Sequence, residues 1–102
     1  MGNNANQARP KISACVIAYN EERTIERCLK SLMFADEIIL VDANSTDKTV
    51  ELAKKFNTKT IQNSWQGFAV QRNIGLKACS GDWVFFLDAD EEASAKLAVK
   101  LR

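Results

Sequence analysis

The sequence has 102 residues, which is enough for one domain and too few for two. Apolar residues make up 46% and charged residues 26%, with one Pro and four Gly, which excludes a collagen-like, a wholly disordered or a coiled-coil chain. Lys and Arg number 14 and Asp and Glu 13, giving a net charge of +1. A nucleic-acid partner is therefore not expected, because the chain offers no overall positive field to phosphates.

The cysteines point to a reducing compartment. Cys15, Cys28 and Cys79 are odd in number and form no C-x-x-C pair, which argues against a disulfide scaffold and against a zinc site. The chain has no apolar run of the roughly 18 residues that a membrane helix needs, and its N-terminus lacks the pattern of a signal peptide. We expect a cytoplasmic protein whose thiols are buried and inert.

The chain begins with a polar segment and then turns strongly apolar. Residues 1–10 include the only Pro, and we expect them to form a flexible tail before a folded part over 11–102. The almost unbroken apolar run over residues 12–18 predicts a strand buried on both faces. Asn20 is then predicted to cap a helix that has two glutamates in its first turn.

Apolar strands and helical periodicity alternate along the rest of the chain. Gly81 is expected to end the third helix in the left-handed conformation. Continuous apolar strands that alternate with helices predict an α/β fold, in which a mostly parallel sheet carries helices on both faces. The further predicted strands cover residues 37–41, 59–62 and 83–87, and the further helices cover 48–56, about 67–79 and 93–102.

Polar side chains concentrate where three of these strands end, at residues 19–22, 42–47 and 88–92. Ligands of such sheets bind at the carboxyl ends of the strands. Asp88 and Asp90 follow five apolar residues, and residues i and i+2 of an extended segment point to the same side. The two carboxylates can therefore share a divalent cation and hold it against substrate phosphates. The alternative is an acidic strand end, or a helix start at which carboxylates are favoured.

Several common sites are excluded. Loops counted from Asp42 or from Asp88 lack the Gly and the final Glu of an EF-hand. No G-x-G-x-x-G or G-x-x-x-x-G-K-[ST] motif is present to cradle phosphates. The sequence contains no His, which removes the usual general base and any Ser-His catalysis.

Other candidate residues each have two interpretations. Asp42 closes a buried strand too far upstream to cap the next helix, and its loop could read a nucleobase or cap that helix. Tyr19 could stack on a nucleobase or pack against the protein. Arg72 could contact a phosphate or stay solvated on a helix face. Trp65 and Trp83 are expected to pack.

Four segments taken together resemble a known family. The chain resembles the N-terminal half of a family 2 glycosyltransferase with the GT-A fold, most of all the bacterial branch that builds lipopolysaccharide core and related envelope sugars. The resemblance runs from about residue 12 to residue 92, in the order that the family has. Its segments are AYNEE at 18–22, VDANSTDKT at 41–49, QRNIG at 71–75 and GDWVFFLDADEE at 81–92.

The resemblance implies transfer of a sugar, with inversion, from a nucleoside diphosphate sugar, often a UDP-sugar, to a saccharide or lipid-linked acceptor. It assigns Asp88 and Asp90, as the family's DxD motif, to a Mg²⁺ or Mn²⁺ ion that bridges both phosphates and assists the leaving group. The residues that it places at the nucleotide are Tyr19, Glu22, Asp42, Arg72 and Asp88.

The resemblance also implies parts that this chain does not match. Asn44 stands where the family commonly has a small residue. The family's catalytic base is an acidic residue in the acceptor half; no residue here corresponds to it, and we expect it beyond Arg102, the last residue of the sequence. We therefore expect a truncated GT-A domain, the donor-binding half, with the acceptor half and any peripheral membrane contact in segments outside it. The alternatives are a receiver-like Mg²⁺-binding regulatory module and a nucleotidyltransferase-like fold.

Overall fold

The structure of the chain, a computed structural model, describes residues 9–91 and, for the backbone alone, 98–100. The strands are Ile12–Ala18 (β1), Glu37–Asp42 (β2), Lys59–Gln62 (β3), Trp83–Asp88 (β4) and Ala98–Lys100 (β5). The helices are Ile25–Lys30 (α1), Thr49–Ala53 (α2), which continues into a 3₁₀ turn over Lys54–Phe56, and Phe68–Ala78 (α3). Strands and helices alternate through α3, as the sequence predicts.

The strands form one sheet in the order β3-β2-β1-β4-β5. The first four strands are mutually parallel, and β5 pairs antiparallel with β4. The chain moves outward from β1 to β2 and β3 and then crosses to the other side of β1 for β4. The order of the strands therefore reverses between β1 and β4, which is where α/β sheets of this kind open a crevice for ligands.

Helices cover both faces of the sheet. On one face α1 and α2 pack on alternate strand residues, and the buried cluster there includes Val16, Leu29 and Leu40. On the other face α3 covers a smaller cluster around Cys15, Ile39 and Val84. Both faces of the central strands are thus removed from water, which explains why their sequence shows no polar alternation.

Two expectations about local structure are wrong. Asn20 does not cap its own helix, since α1 begins only at Ile25 with Thr24 as its N-cap residue. Gly81 is not left-handed: within the described residues the only glycine with positive φ is Gly67, which precedes α3. A Cβ at Gly81 would lie 2.6 Å from the Ser13 Oγ, so close approach to β1 explains this glycine instead.

The C-terminal residues also differ from expectation where they are described. Residues 98–100 form a strand and not a helix, because they pair with β4. The rest of the predicted helix over 93–102 lies outside the described residues. Arg102, beyond which the catalytic base is expected, lies outside them too, so the position of that base stays a prediction.

The N-terminal tail is described only at its end. Most of residues 1–10 lie outside the described part of the chain, but Arg9 already contacts the fold, with its Nη2 2.8 Å from the Asp36 Oδ1. The boundary at residue 11 between tail and folded part stays a prediction. No helix in the described part of the chain is long and apolar enough to cross a membrane.

Candidate functional site

A cavity of about 460 Å³ opens at the carboxyl ends of β1 and β4, where the strand order reverses. This volume is in the range of small-molecule sites. Its lining combines acidic side chains with aromatic and aliphatic ones. The lining residues are Ile17, Ala18, Tyr19, Glu21, Trp65, Phe68, Asp88 and Asp90.

Asp88 and Asp90 both line this cavity. Asp88 is the last residue of β4, and its backbone N–H donates to the Glu91 Oε1 at 3.0 Å. Ala89 between them is fully buried in the cluster under α1 and α2. Both carboxylates line the same cavity, as the sequence predicts, but Asp90 lies in the turn that follows β4, which the hydrogen bond from the Glu91 backbone N–H to the Asp88 backbone oxygen closes at 2.9 Å.

The aspartate pair fits a hard divalent cation that takes part of its ligands from elsewhere. Among residues 9–91 no group of three or more His, Cys, Asp or Glu is arranged to hold a metal by itself. Mg²⁺ commonly uses one or two carboxylates together with substrate phosphates and water. Two aspartates at the mouth of a cavity match that pattern better than they match a closed structural metal site.

Glu21 adds to the negative field of the cavity. Burial raises the pKa of its carboxyl above the ordinary range, and the nearby charges of Asp90, Asp47 and Asp88 raise it further. The local surplus of negative charge is what a bound cation would neutralise. Glu21 belongs to the polar segment 19–22 at the end of β1, and the structure shows that it lines the cavity although no site role was predicted for it.

The loop after β1 is locked to the loop after β2 by reciprocal hydrogen bonds, and we call residues 20–22 and 45–49 the interlocked loops. The Asn20 Oδ1 accepts from the backbone N–H groups of Thr46 at 2.8 Å and Asp47 at 3.3 Å. In return, the backbone N–H of Glu21 donates to the Thr49 Oγ1 at 2.8 Å. Tyr19 and Glu21, which flank Asn20 in sequence, are thereby held at the cavity.

Glu22 and Asp42 serve the loops and do not reach the cavity wall. The Glu22 Oε1 accepts from the Lys48 backbone N–H at 3.0 Å. Asp42 is fully buried, and its two carboxylate oxygens accept from the backbone N–H and the hydroxyl of Ser45 at 2.7 and 2.6 Å. The structure thus gives both carboxylates a loop-stabilising role, and their contact with a nucleotide stays a prediction.

Arg72 lies beside the cavity and not in its lining. It is exposed on α3, with its guanidinium carbon 5.5 Å from the centre of the Phe68 ring. Phe68 lines the cavity, so Arg72 contacts a residue of the cavity wall and not the cavity itself. Of the six residues that the sequence analysis assigned to the site, the structure brings Tyr19, Asp88 and Asp90 together in the cavity and places the other three around it.

Trp65 and Phe68 are functional candidates that sequence reasoning missed. Trp65 was expected to pack, but it is 51% exposed and Phe68 is 49% exposed, although both line the cavity. Their ring centres are 4.8 Å apart at an interplanar angle of 90°. The sequence did contain a signal for this role. The two aromatic residues lie in and just after the loop that follows a parallel strand, and loops at this edge of the sheet carry ligand contacts.

The chain was compared with known protein families. The model of "Glycosyl transferase family 2" matches residues 13–101. The chain belongs to this family. An uncharacterized glycosyltransferase of Rickettsia bellii is 43% identical over 88 residues, and the lipopolysaccharide core biosynthesis glycosyltransferase LpsC of Rhizobium meliloti is 35% identical over 91 residues. Membership favours the glycosyltransferase interpretation over a receiver-like module.

Solved structures give the same relationship for this family 2 chain. Glucosyl-3-phosphoglycerate synthase from Mycobacterium tuberculosis, in complex with UDP, superimposes with a TM-score of 0.72 and 32% identity over 85% of this chain and 36% of that chain. A complex of the same synthase with Mn²⁺, UDP and glucosyl-3-phosphoglycerate gives a TM-score of 0.71 and 30% identity, over 86% of this chain and 37% of that chain. The α/β sheet is thus the Rossmann-like part of a GT-A fold.

The family 2 chain spans about a third of the length of its relatives. It aligns over 85% of its own residues with 30% of the Rickettsia bellii protein, and over 84% with 34% of LpsC. The similarity therefore covers only one part of each relative.

Proposed function

We propose that this chain is the donor-binding part of a glycosyltransferase that takes its sugar from a nucleoside diphosphate sugar, with UDP as the nucleotide. The observation that supports this most is the position of Asp88, Asp90 and Tyr19 around one cavity at the point where the strand order reverses. The cavity offers both carboxylates for a cation and aromatic rings, which suits a nucleotide with a charged diphosphate.

Asp88 and Asp90 would hold the divalent cation, Mg²⁺ or Mn²⁺. When bound, such a cation neutralises the charge that develops on the departing diphosphate. The chain's own part is to present the Asp88 carboxylate from the last position of a buried strand and the Asp90 carboxylate from the turn that follows it. The interlocked loops hold Tyr19 and Glu21 at the same cavity, so the site needs little ordering when the nucleotide binds.

The finer points of the proposal are inversion at the sugar, a saccharide or lipid-linked acceptor, and a role in lipopolysaccharide or related envelope synthesis at the cytoplasmic face of the membrane. Similarity to LpsC supports the role in envelope synthesis. The three free cysteines support a cytoplasmic location. No residue of this chain is assigned as the catalytic base or to the acceptor site, and we propose that both lie beyond Arg102.

Titration calorimetry of the chain with UDP, with and without Mn²⁺, tests the proposal. We expect binding that needs the cation, because the two aspartates leave most of its coordination to phosphates and water. Asp88→Asn and Asp90→Asn should each weaken binding by about tenfold or more, as loss of a charged contact does. Asparagine keeps the size of each side chain and removes its charge.

Glu51→Gln is the matched control. Glu51 is exposed on α2, outside the cavity, and the exchange removes one negative charge in the same way. It should leave the dissociation constant within about twofold, as expected for a distant screened charge. Absence of UDP binding by the unaltered chain, or equal effects of Asp88→Asn and Glu51→Gln, would overturn the proposal.

A further inference from the structure

We infer that Trp65 and Phe68 form the surface on which the flat ring of the donor's nucleobase stacks, an inference that rests on the proposed function. The two rings meet at 4.8 Å and 90°, and both contribute to the wall of the cavity that contains the aspartate pair. The two rings would bind the base, while Asp88 and Asp90 would hold the cation that binds the diphosphate.

A glycine and a neighbouring arginine shape this corner of the cavity. Gly67 lies between the two aromatic residues with φ of 103°, a conformation that allows the chain to turn from Trp65 into the first residue of α3. The guanidinium carbon of Arg72 lies over the Phe68 ring, 5.5 Å from its centre. Both rings are about half exposed, although burial against the protein would stabilise aromatic side chains.

The lining chemistry favours a base over a sugar as the occupant of this corner. A hexose carries hydroxyl groups all around its ring, and each loses free energy if it is buried without a hydrogen-bond partner. Besides the two rings, the uncharged lining residues are Ile17, Ala18 and Tyr19, whose side chains offer one hydroxyl. A nucleobase has two faces without polar groups and keeps its hydrogen-bonding groups at the edge, so it can stack there without that cost.

The chain contains two tryptophans, which allows a direct test. Trp83 begins β4 at the end of the sheet away from the cavity. Trp83→Phe therefore leaves Trp65 as the sole tryptophan, and Trp65→Phe leaves Trp83 as the matched control. With Mg²⁺, which does not quench fluorescence as Mn²⁺ does, UDP should change the emission of Trp65 in the first variant and leave the emission of Trp83 unchanged in the second.

Affinity gives the second readout. Trp65→Ala should weaken UDP binding about tenfold, and Trp65→Phe should weaken it less, since a ring is kept for stacking. Uridine should change Trp65 emission, and methyl glucoside should not. Because Trp65 is half exposed, the thermal midpoint of Trp65→Ala is expected to stay close to that of the unaltered chain.

The outcomes separate this inference from the proposed function. UDP binding with an unchanged dissociation constant in Trp65→Ala, or a change of Trp65 emission with methyl glucoside and none with uridine, would overturn the stacking surface and leave the donor site standing. Absence of UDP binding by the unaltered chain would overturn both.

Discussion

Gly75 lies on the face of α3 that contacts the sheet, at a position where no side chain fits. A Cβ built there would collide with the Cys15 Sγ and would lie 3.1 Å from the Val41 Cγ2. The helix axis can therefore approach β1 and β2 closely only with glycine at this point. Gly67 is needed for another reason, because nothing lies within 4 Å of its would-be Cβ and only its positive φ excludes other residues.

We expect Gly75→Ala to lower the free energy of unfolding by about 1–2 kcal/mol, because overpacking exceeds the gain in helix propensity. Gly67→Ala should cost a similar amount through backbone strain. Adding Cys15→Ala removes the colliding sulfur, so it should rescue part of the loss in Gly75→Ala and none in Gly67→Ala. Urea unfolding of the single and double variants measures this, and equal responses of the two glycine variants would contradict it.

Asp36 provides a pH-dependent contact at the start of the fold. The hydrogen bond from the Arg9 side chain, followed by that from the Ile12 backbone N–H, lowers the pKa of Asp36 to about 2. A carboxyl with a lowered pKa stabilises the fold above its unfolded pKa of about 4, and this stabilisation is lost as the pH falls toward 2. The raised pKa of Glu21 contributes with the opposite sign, so the effect must be assigned by variant.

We expect the urea midpoint of the unaltered chain to fall more than that of Asp36→Asn as the pH drops from about 5 to about 2. Arg9→Met should move the pKa of Asp36 partway back toward its ordinary value, because the Ile12 contact remains. NMR titration of the Asp36 carboxyl measures the pKa directly. An identical pH dependence in the unaltered chain and Asp36→Asn would show that this contact does not stabilise the fold.

At the scale of elements, hydrogen bonds between the interlocked loops add to a local contact at the start of α2, where the Asp47 Oδ1 accepts from the Thr49 backbone N–H at 2.9 Å. The N-cap residue of α2, Lys48, has no side-chain cap, and neither has Thr24 before α1. Backbone N–H groups of each loop donate to side chains of the other loop, across 26 to 28 residues of sequence. Asn20 is central because it combines a left-handed φ of 50° with a side-chain acceptor.

Three substitutions of Asn20 separate these two properties. Asn20→Gly keeps the left-handed conformation and loses the acceptor, Asn20→Asp keeps the acceptor, and Asn20→Ala loses both. We expect losses in the free energy of unfolding of about 1, under about 1 and about 2 kcal/mol, respectively. Hydrogen exchange of the Thr46 and Asp47 amides should quicken in Asn20→Gly and Asn20→Ala. Unchanged exchange in Asn20→Ala would show that the loops are held by other contacts.

The sequence predicted the elements that depend on local pattern and missed those that depend on distant partners. The apolar runs of β1, β2 and β4 and the periodicity of α3 are local, and the structure confirms all four. The Asn20 side chain accepts from the Thr46 backbone N–H and does not cap α1, a contact that no local pattern records. β5 is a strand because it pairs with β4, so the helical spacing of its residues misled the prediction.

At the scale of the whole molecule, the sheet order explains which site residues were predictable. Polar residues at three strand ends were visible in the sequence, and parallel pairing brings the ends of β1 and β4 together. Whether a side chain faces the cavity or its own loop depends on loop conformation. Asp88 and Asp42 both end a strand, but Asp88 lines the cavity and Asp42 accepts from the Ser45 backbone N–H. Trp65 was misjudged for the same reason, since tryptophan is more often buried than half exposed.

The cysteines report on opening of the whole fold. Cys15 and Cys28 are fully buried on opposite faces of the sheet, and Cys79 is half-buried. Burial, with the neighbouring Cys79, raises the pKa of the Cys15 thiol to about 12. Burial, together with Glu37, raises the pKa of the Cys79 thiol to about 11. Few thiolates are therefore available near neutral pH, and the two buried thiols need the fold to open before they react.

We expect a thiol reagent to modify Cys79 first. Cys15 and Cys28 should react later and at the same rate as each other, because both need the fold to open. Cys28 also lies beneath the site, with its Sγ 3.8 Å from the Asp88 backbone oxygen. UDP with Mg²⁺ at about a hundred times its dissociation constant should slow modification of the buried pair about a hundredfold, because it stabilises only the folded state. In Asp88→Asn the same ligand concentration should slow it far less. Mass spectrometry of labelled peptides measures each rate, and modification of Cys28 as fast as Cys79 would show that the core under the site opens locally.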